Sequence, residues 1–375
     1  MATYSVFLPS YTVGEDAYKA IPEVCGHFGT KAVVVGGKTA MSKAKDALLA
    51  GIAGSKIKIT DFIWYGGDAT FENVEKLKTD KRILDADMIF GVGGGRACDT
   101  AKPLADMLGK PLFTFPTLAS NCASCTAICV MYNESGSFRD YYFRPGPAHH
   151  TFINTKIIAE SPAKLFWAGI GDALSKEYEV EFATRDVDLF HTPLLGSKVA
   201  LVCASPLLKY GAKALADCKA HKISYELEQV ALDIIMSTGL VSNFTTGGKD
   251  KYYYNSNLAH CFYNGSTLIP ACAEKHLHGE VVAFGVLTLL ATTGETELLE
   301  KIGQFNKELG LPICLADIDL KTENVNTIAD KAVTLMDWKA VSRPITKDEF
   351  IKGILEADRF GRQLKVRKPA SKLGC

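Results

Sequence analysis

DMIFGVGGGRACDTAKPLADML, residues 87–108, is the stretch on which the fold class turns. A continuous apolar run, residues 87–92, reads as a buried strand. It passes through Gly93, Gly94 and Gly95 into a stretch with helical periodicity. Glycines at a strand-to-helix junction let the backbone approach a ligand and aim amide groups at an anion beside the positive end of the helix. That is pyrophosphate-binding chemistry; a tight turn with no ligand is the alternative. The match to G-x-G-x-x-G covers Gly91-Val-Gly93-Gly-Gly, with Arg96 in the place of the final glycine. The loop is expected to follow the third strand of a sheet. Pro103 predicts a kink or a restart of the helix.

Working outward, β-rich runs recur at KAVVV (31–35), KIKITDFIW (56–64), PLFTF (111–115) and TFIN (151–154). Helical patterns lie between them: KTAMSKAKDALLA, FENVEKLKTDKRIL and DTAKPLADML. Apolar strands alternating with helices predict a parallel sheet covered on both faces. YYFRPGP (141–147) reads as a hairpin or edge, because proline is poorly tolerated inside a sheet. From Ser161 onward the pattern becomes helical. Ser161 and Pro162 are placed as N-cap and first residue of a long helix in SPAKLFWAGIGDALSKEYEVEFAT. YELEQVALDIIMSTGLV, NSNLAHCFYNG, GEVVAFGVLTLLATTGETELLEKIGQFNKELG and KDEFIKGILEADRFG also read as helices. A boundary near 155–162 follows, with an α/β domain at 1–160 and an all-helical domain at 161–375.

The 375 residues carry 42 basic and 42 acidic side chains, so the broad electrostatic pull of non-specific nucleic-acid binding is missing. At 47% hydrophobic and 22% charged, the composition is that of a globular chain with room for two cores. No uninterrupted apolar stretch reaches the ~18–20 residues of a spanning helix. The start, MATYSVFLPSYTVGEDAYKA, has neither a basic n-region nor an apolar h-region, so a cytoplasmic protein without membrane partners is expected. Eleven scattered cysteines fit reduced, buried thiols. Cys122, Cys125 and Cys129 form C-x2-C-x3-C, readable as a cluster or redox motif but lacking a nearby fourth ligand, or as packing on a helical turn.

Two further constellations carry chemistry. Val35-Gly36-Gly37-Lys38 ends the first apolar run, where a doubly wound fold receives an adenosine ribose. Gly37 supplies no carboxylate and Lys38, Lys43 and Lys45 follow, which reads as tolerance of a 2′-phosphate or as a solvated basic helix. Asp172, His260 and His278 lie in segments of unusual composition, but spacings of 88 and 18 residues match no compact metal signature. His276 and His278 are about 200° apart on a helix, so only one of them is expected to face a given site.

At these residues the chain resembles the glycerol dehydrogenase branch of the iron-containing (group III) alcohol dehydrogenases. The resemblance rests on VGGGRACDTAK, FPTLAS, CVMYNESG, TKIIAESPAKLFWAGIGDALSKEYE, LAHCFYNG and HGEVVAFGVL, in the family's order and spacing. It implies a Rossmann-like N-terminal domain and a helical C-terminal domain (a dehydroquinate synthase-like fold) with the active site between them. By that resemblance Asp172, His260 and His278 hold a divalent metal, zinc or iron, and act in catalysis. NAD(P) is expected at Gly37, Gly93, Gly94, Gly95 and Asp99, with Thr117, Ser120, Ile128 and Tyr132 on the nicotinamide side. Asn121, Cys122 and Tyr263 fall beside the substrate.

Two departures from the branch bear on the substrate. SNCAS stands where glycerol dehydrogenases usually carry STDAP, so Cys122 takes the place of an aspartate, and Tyr263 that of a frequent histidine. Loss of a carboxylate removes an acceptor for diol hydroxyls and a charge that repels anions. The expectation is therefore a hydroxycarboxylate dehydrogenase interconverting a 2-oxo acid and a 2-hydroxy acid. Glycerol or vicinal-diol dehydrogenase is the alternative, and a dehydroquinate synthase-like lyase a remote one. Lys249, Lys251, Arg139 and Arg144 are candidate holders of a substrate carboxylate, and Tyr263 either relays a proton or packs. A homo-oligomer acting on a small molecule is expected.

Overall fold

The computed structural model describes residues 4–247 and 252–367. Eight strands occur: β1 (Tyr11–Gly14), β2 (Lys31–Gly36), β3 (Lys58–Trp64), β4 (Met88–Gly93), β5 (Leu112–Pro116), β6 (Ile128–Tyr132), β7 (Phe138–Phe143) and β8 (His150–Asn154). Six form one parallel sheet in the order β1-β8-β5-β4-β2-β3. Every residue of β4, β5 and β8 is buried, which is why these segments read as unbroken apolar runs. Alternate side chains of one strand enter different cores. Val34 joins Leu48, Phe90 and Phe113 on one face, whereas Val33 and Val35 join Ile89, Leu104 and Leu112 on the other.

The helices of this half include α1 (Lys38–Gly51), α2 (Phe71–Lys78) and α3 (Gly95–Leu108). FENVEKLKTDKRIL is not one helix: α2 stops at Lys78, and Asp80 caps a separate turn by accepting from the Arg82 amide. Pro103 neither restarts nor ends α3, which runs through it with Ala101, Leu104 and Ala105 buried around it. β1 was not anticipated, so the glycine loop follows the fourth strand in chain order and not the third. β6 was not anticipated either. It pairs antiparallel with β7 (Val130 opposite Tyr141), so YYFRPGP does belong to a hairpin, one whose second strand begins at Phe138.

After Asn154 the described residues are helical apart from one isolated bridge between Thr246 and Tyr253. The principal helices are α4 (Ala163–Thr184), α5 (His191–Ala200), α6 (Ala204–Lys219), α7 (Tyr225–Leu232), α8 (Thr238–Thr245), α9 (Leu258–Ser266), α10 (His278–Thr293), α11 (Thr296–Leu309) and α12 (Lys347–Val366). Pro162, not Ser161, occupies the cap of α4. The apolar run after HGEV is two helices, because Gly294 turns the chain with φ +78° between α10 and α11. A π-helical turn at Asp233–Ser237 separates α7 from α8. α5 and α6 escaped the sequence reading. By composition His191–Lys219 is apolar enough to cross a membrane, but the chain turns at Leu201–Cys203, and the two helices pack against α4, α7 and α8.

Candidate active site

β4 delivers Gly93 at φ +147°, a region closed to residues with a side chain, and a Cβ there would sit 2.8 Å from Ala97 Cβ. Gly94 caps α3 without any side-chain bond, so the first amides of that helix are open to an anion. The loop forms one end of a cavity of about 550 Å³ that reaches the Asp172 cluster at its other end. Gly37, Gly93, Gly94, Gly95 and Asp99 line it, as do Ser120, Asn121, Cys122, Ile128, Tyr132 and Tyr263. Thr117 does not: its amide donates to the Gly93 carbonyl at 3.2 Å, so its part is to hold the loop. Asp99 is spoken for as well, forming a buried pair with Lys102 at 2.7 Å and accepting the Val130 amide.

Asp172 comes from α4, His260 from α9 and His278 from the first residue of α10. The approach of α10 to α4 depends on Gly279, where a Cβ would lie 2.0 Å from the Ala168 carbonyl oxygen. His278 Nε2 stands 2.9 Å from Asp172 Oδ1, and His260 Nε2 3.8 Å from the same oxygen. One ligand atom from each residue falls within 4.8 Å of the others. Asp172 Oδ1 is buried and meets no hydrogen-bond partner apart from these two imidazoles. A buried carboxylate oxygen facing two imidazoles is a donor set that suits a divalent cation.

Glu179, fully buried and seven residues after Asp172 on α4, holds His260. Its Oε2 lies 2.7 Å from His260 Nδ1, while its Oε1 accepts the amides of Asn257 (2.8 Å) and His260 (3.0 Å). A proton fixed on Nδ1 leaves the Nε2 lone pair toward Asp172. Burial pushes Asp172 and Glu179 up, yet His278, His260 and Lys176 around the first, and His260 with the backbone amides around the second, together bring both carboxyls below their usual range. Burial pushes His260 down, but the carboxylates of Glu179 and Asp172 together leave it above its usual value. Sequence reasoning missed Glu179, although the D-x6-E spacing on one helix was the available signal.

Cys122 and Cys125 sit in a turn, the Cys125 amide donating to the Cys122 carbonyl at 3.0 Å, and Cys129 lies on β6. The helical-turn packing expected for them is therefore wrong. Cys125 Sγ donates to the Ile235 carbonyl at 2.7 Å within the π-helical turn. Asn243 adds two bonds to the same loop, accepting from the Ala127 amide and donating to the Cys125 carbonyl, both at 2.9 Å. These contacts pin the segment carrying Ser120, Asn121 and Cys122 to the π-helical turn and to α8 of the helical half. Burial pushes the Cys122 thiol up, so it faces the cavity protonated.

His276 precedes α10, so the helical-wheel argument does not apply to it, and both His276 and His278 line the cavity. Neither Arg139 nor Arg144 does. Arg139 pairs with Glu72 and Arg144 with Asp106, which removes them as holders of a substrate anion. Lys249 and Lys251 lie outside the described residues. The cavity's own cations, Arg96 and Lys176, were not among the residues expected to hold an anion. Arg96 pairs with Asp68 at 3.0 Å and covers the Tyr132 ring, and Lys176 Nζ donates to Asn255 Oδ1 at 2.6 Å and to its carbonyl. Tyr263 packs edge-on against His278 at 4.1 Å between ring centroids.

A glycine loop and a two-histidine, one-aspartate cluster at opposite ends of one cavity can be set against known proteins. Residues 9–147 match the family model described as iron-containing alcohol dehydrogenase. A glycerol dehydrogenase of Thermotoga maritima is 32% identical over 381 residues, covering 97% of this chain and 99% of the relative. The chain belongs to the iron-containing alcohol dehydrogenase family. Within it the chain falls in the glycerol dehydrogenase-like branch, and it is an oxidoreductase. Hydroxycarboxylate dehydrogenase A of Escherichia coli is 32% identical over 307 residues, 81% of each chain. In fold, this alcohol dehydrogenase-family chain superposes on a glycerol dehydrogenase of Schizosaccharomyces pombe with a TM-score of 0.86 at 24% identity, covering 100% of this chain and 97% of that one.

Proposed function

We propose that this oxidoreductase interconverts a small vicinal diol, glycerol being the first candidate, and the corresponding hydroxycarbonyl compound, using NAD(P)(H) and a divalent metal. The observation that carries the reading is the convergence of Asp172, His260 and His278 at one end of a cavity whose other end is the Gly93–Gly95 loop. When bound, the ion supplies Lewis-acid polarisation of a substrate oxygen and the dinucleotide supplies hydride exchange. Asp172 Oδ1 and the His260 and His278 imidazoles would hold the ion, and zinc and iron both suit that donor set.

The chain's remaining groups orient and exclude. Open amides at the start of α3 suit a pyrophosphate, and Ile128 and Tyr132 form an apolar wall along the cavity. Glu179 keeps the His260 lone pair directed at the cluster, and Tyr263 fixes the His278 ring by contact. Burial pushes the Tyr263 hydroxyl above its ordinary value, which supports packing over proton relay. With domains proposed at 1–160 and 161–375, the cluster belongs to the helical domain and the glycine loop to the sheet domain. A homo-oligomer remains part of the proposal.

Diol over 2-oxo acid is supported by the near full-length similarity to the Thermotoga relative. It is also supported by the charge inventory: among the described residues, the lysine and arginine lining the cavity are already engaged with Asn255 and Asp68. The 2-oxo acid reading keeps one specific support, the neutral Cys122 thiol where the branch usually carries a carboxylate. The deciding experiment is a NAD(P)+ reduction assay on glycerol and 1,2-propanediol beside NAD(P)H oxidation on 2-oxobutyrate and 2-oxoglutarate, each with and without chelator. Chelator-sensitive turnover of diols at tenfold or more of the 2-oxo acid kcat/KM is expected. The reverse order overturns the substrate assignment, and chelator-insensitive turnover overturns the metal.

A further inference from the structure

We infer that the end of β2 is a subsite for the 2′-phosphate of the dinucleotide, so that NADP(H) is the preferred coenzyme. The inference rests on the dinucleotide reading above and concerns only its ribose. In doubly wound folds the adenosine ribose meets the carboxyl end of the strand beside the one that carries the glycine loop, and an acidic side chain there accepts the 2′-hydroxyl. Here β4 is flanked by β5, which leads into the Ser120–Cys122 segment, and by β2, whose Gly36 lies opposite Val92. The next residue, Gly37, donates its amide to the Val92 carbonyl at 3.3 Å and lines the same cavity as the loop. It carries no carboxylate.

Nothing in the backbone demands that omission. Gly37 has φ −72° and ψ 142°, open to any residue, and a Cβ would meet only Ala40 Cβ and Tyr65 Cε1, each at 3.7 Å. Among the described residues the only carboxylates lining the cavity are Asp99, bound to Lys102, and Asp172, at the far end. Asp68, beyond β3, has its two oxygens engaged by the Ala69 amide and Arg96. In place of an acid, the first residue of α1 is Lys38, whose Nζ lies 4.5 Å from the centroid of the Trp64 ring at the end of β3. Lys38 adjoins Gly37 in the chain, and an ammonium brought beside an uncharged ribose position would attract a phosphate dianion and give a bare hydroxyl little.

Titration of the purified enzyme with NADH and NADPH, followed by nicotinamide fluorescence, tests this without turnover. The expected wild-type ratio Kd(NADH)/Kd(NADPH) is about tenfold or more at low salt, falling as salt screens the ammonium. Lys38→Ala lowers that ratio about tenfold. Gly37→Asp, which the backbone accommodates, brings it below one. A wild-type ratio under tenfold overturns the 2′-phosphate subsite alone. A large ratio unmoved by both substitutions overturns its placement at Gly37 and Lys38. Binding of neither coenzyme overturns the dinucleotide reading itself.

Discussion

Glu179→Gln replaces one oxygen with an NH2 group and changes almost no volume, so it isolates the role of a single proton. In the wild type Oε1 accepts two backbone amides, from Asn257 and His260, and Oε2 faces His260 Nδ1 at 2.7 Å. The glutamine oxygen can satisfy both amides only by taking the Oε1 place. Its NH2 then donates to Nδ1, the imidazole proton moves to Nε2, and the lone pair aimed at Asp172 is lost. Partners of this kind are worth about 10–100-fold in metal affinity, or about 1.4–2.7 kcal/mol at 1.36 kcal/mol per decade. The assay is competition for Zn²⁺ against a chromophoric chelator, with activity measured across added metal. The variant is expected to bind the ion about 10–100-fold more weakly and to regain much of its kcat at saturating metal, while the metal-free protein still unfolds cooperatively. Affinity within twofold of wild type would refute the tautomer argument.

His278→Ala removes a donor outright and is expected to abolish metal retention and lower kcat/KM by about 10³-fold or more, as metal analysis and diol oxidation would report. Full activity in that variant contradicts the metal centre. Cys122→Asp restores a carboxylate to the cavity wall and should shift the kcat/KM ratio toward glycerol and away from 2-oxo acids, checked by the two assays side by side. Asp233, in the π-helical turn, has both carboxylate oxygens buried without partners, and burial pushes it up to about 8. Its folded-state value exceeds the unfolded one, so the folded chain holds the extra proton, and stability falls as pH rises from about 4 through about 8. Asp233→Asn is therefore expected to raise the unfolding free energy more at pH 8.5 than at pH 5, by a difference on the order of a few kcal/mol, as denaturant melts at the two pH values would report. Equal effects at the two pH values would count against it.

The parts of the fold that were legible in advance share a physical cause. β2, β4, β5 and β8 are buried on both faces, so burial wrote an unbroken apolar signature into each. β6 and β7 form a separate two-stranded ribbon, and β7 is half-exposed, so its composition is mixed and its start was misplaced. Helix α5 exposes Leu194 and Leu195, which blurred its polar face. The glycine loop was legible because Gly93 answers a backbone demand that no other residue meets.

The chain by itself determined the alternation of strand and helix, the change to helices after Asn154, and the loop suited to a pyrophosphate, since each arises from local periodicity or local backbone freedom. Asp172, His260 and His278 are different: 88 and 18 residues apart, they were singled out by likeness to a family, not by spacing. Only the packing of α4, α9 and α10, with Gly279 letting two backbones nearly touch, brought their ligand atoms within 4.8 Å and set Glu179 behind His260. Tertiary structure also withdrew Arg139, Arg144 and Thr117 from the cavity and brought His276 into it. Local sequence encodes what a segment buries, whereas convergence of distant side chains is a property of how whole helices pack.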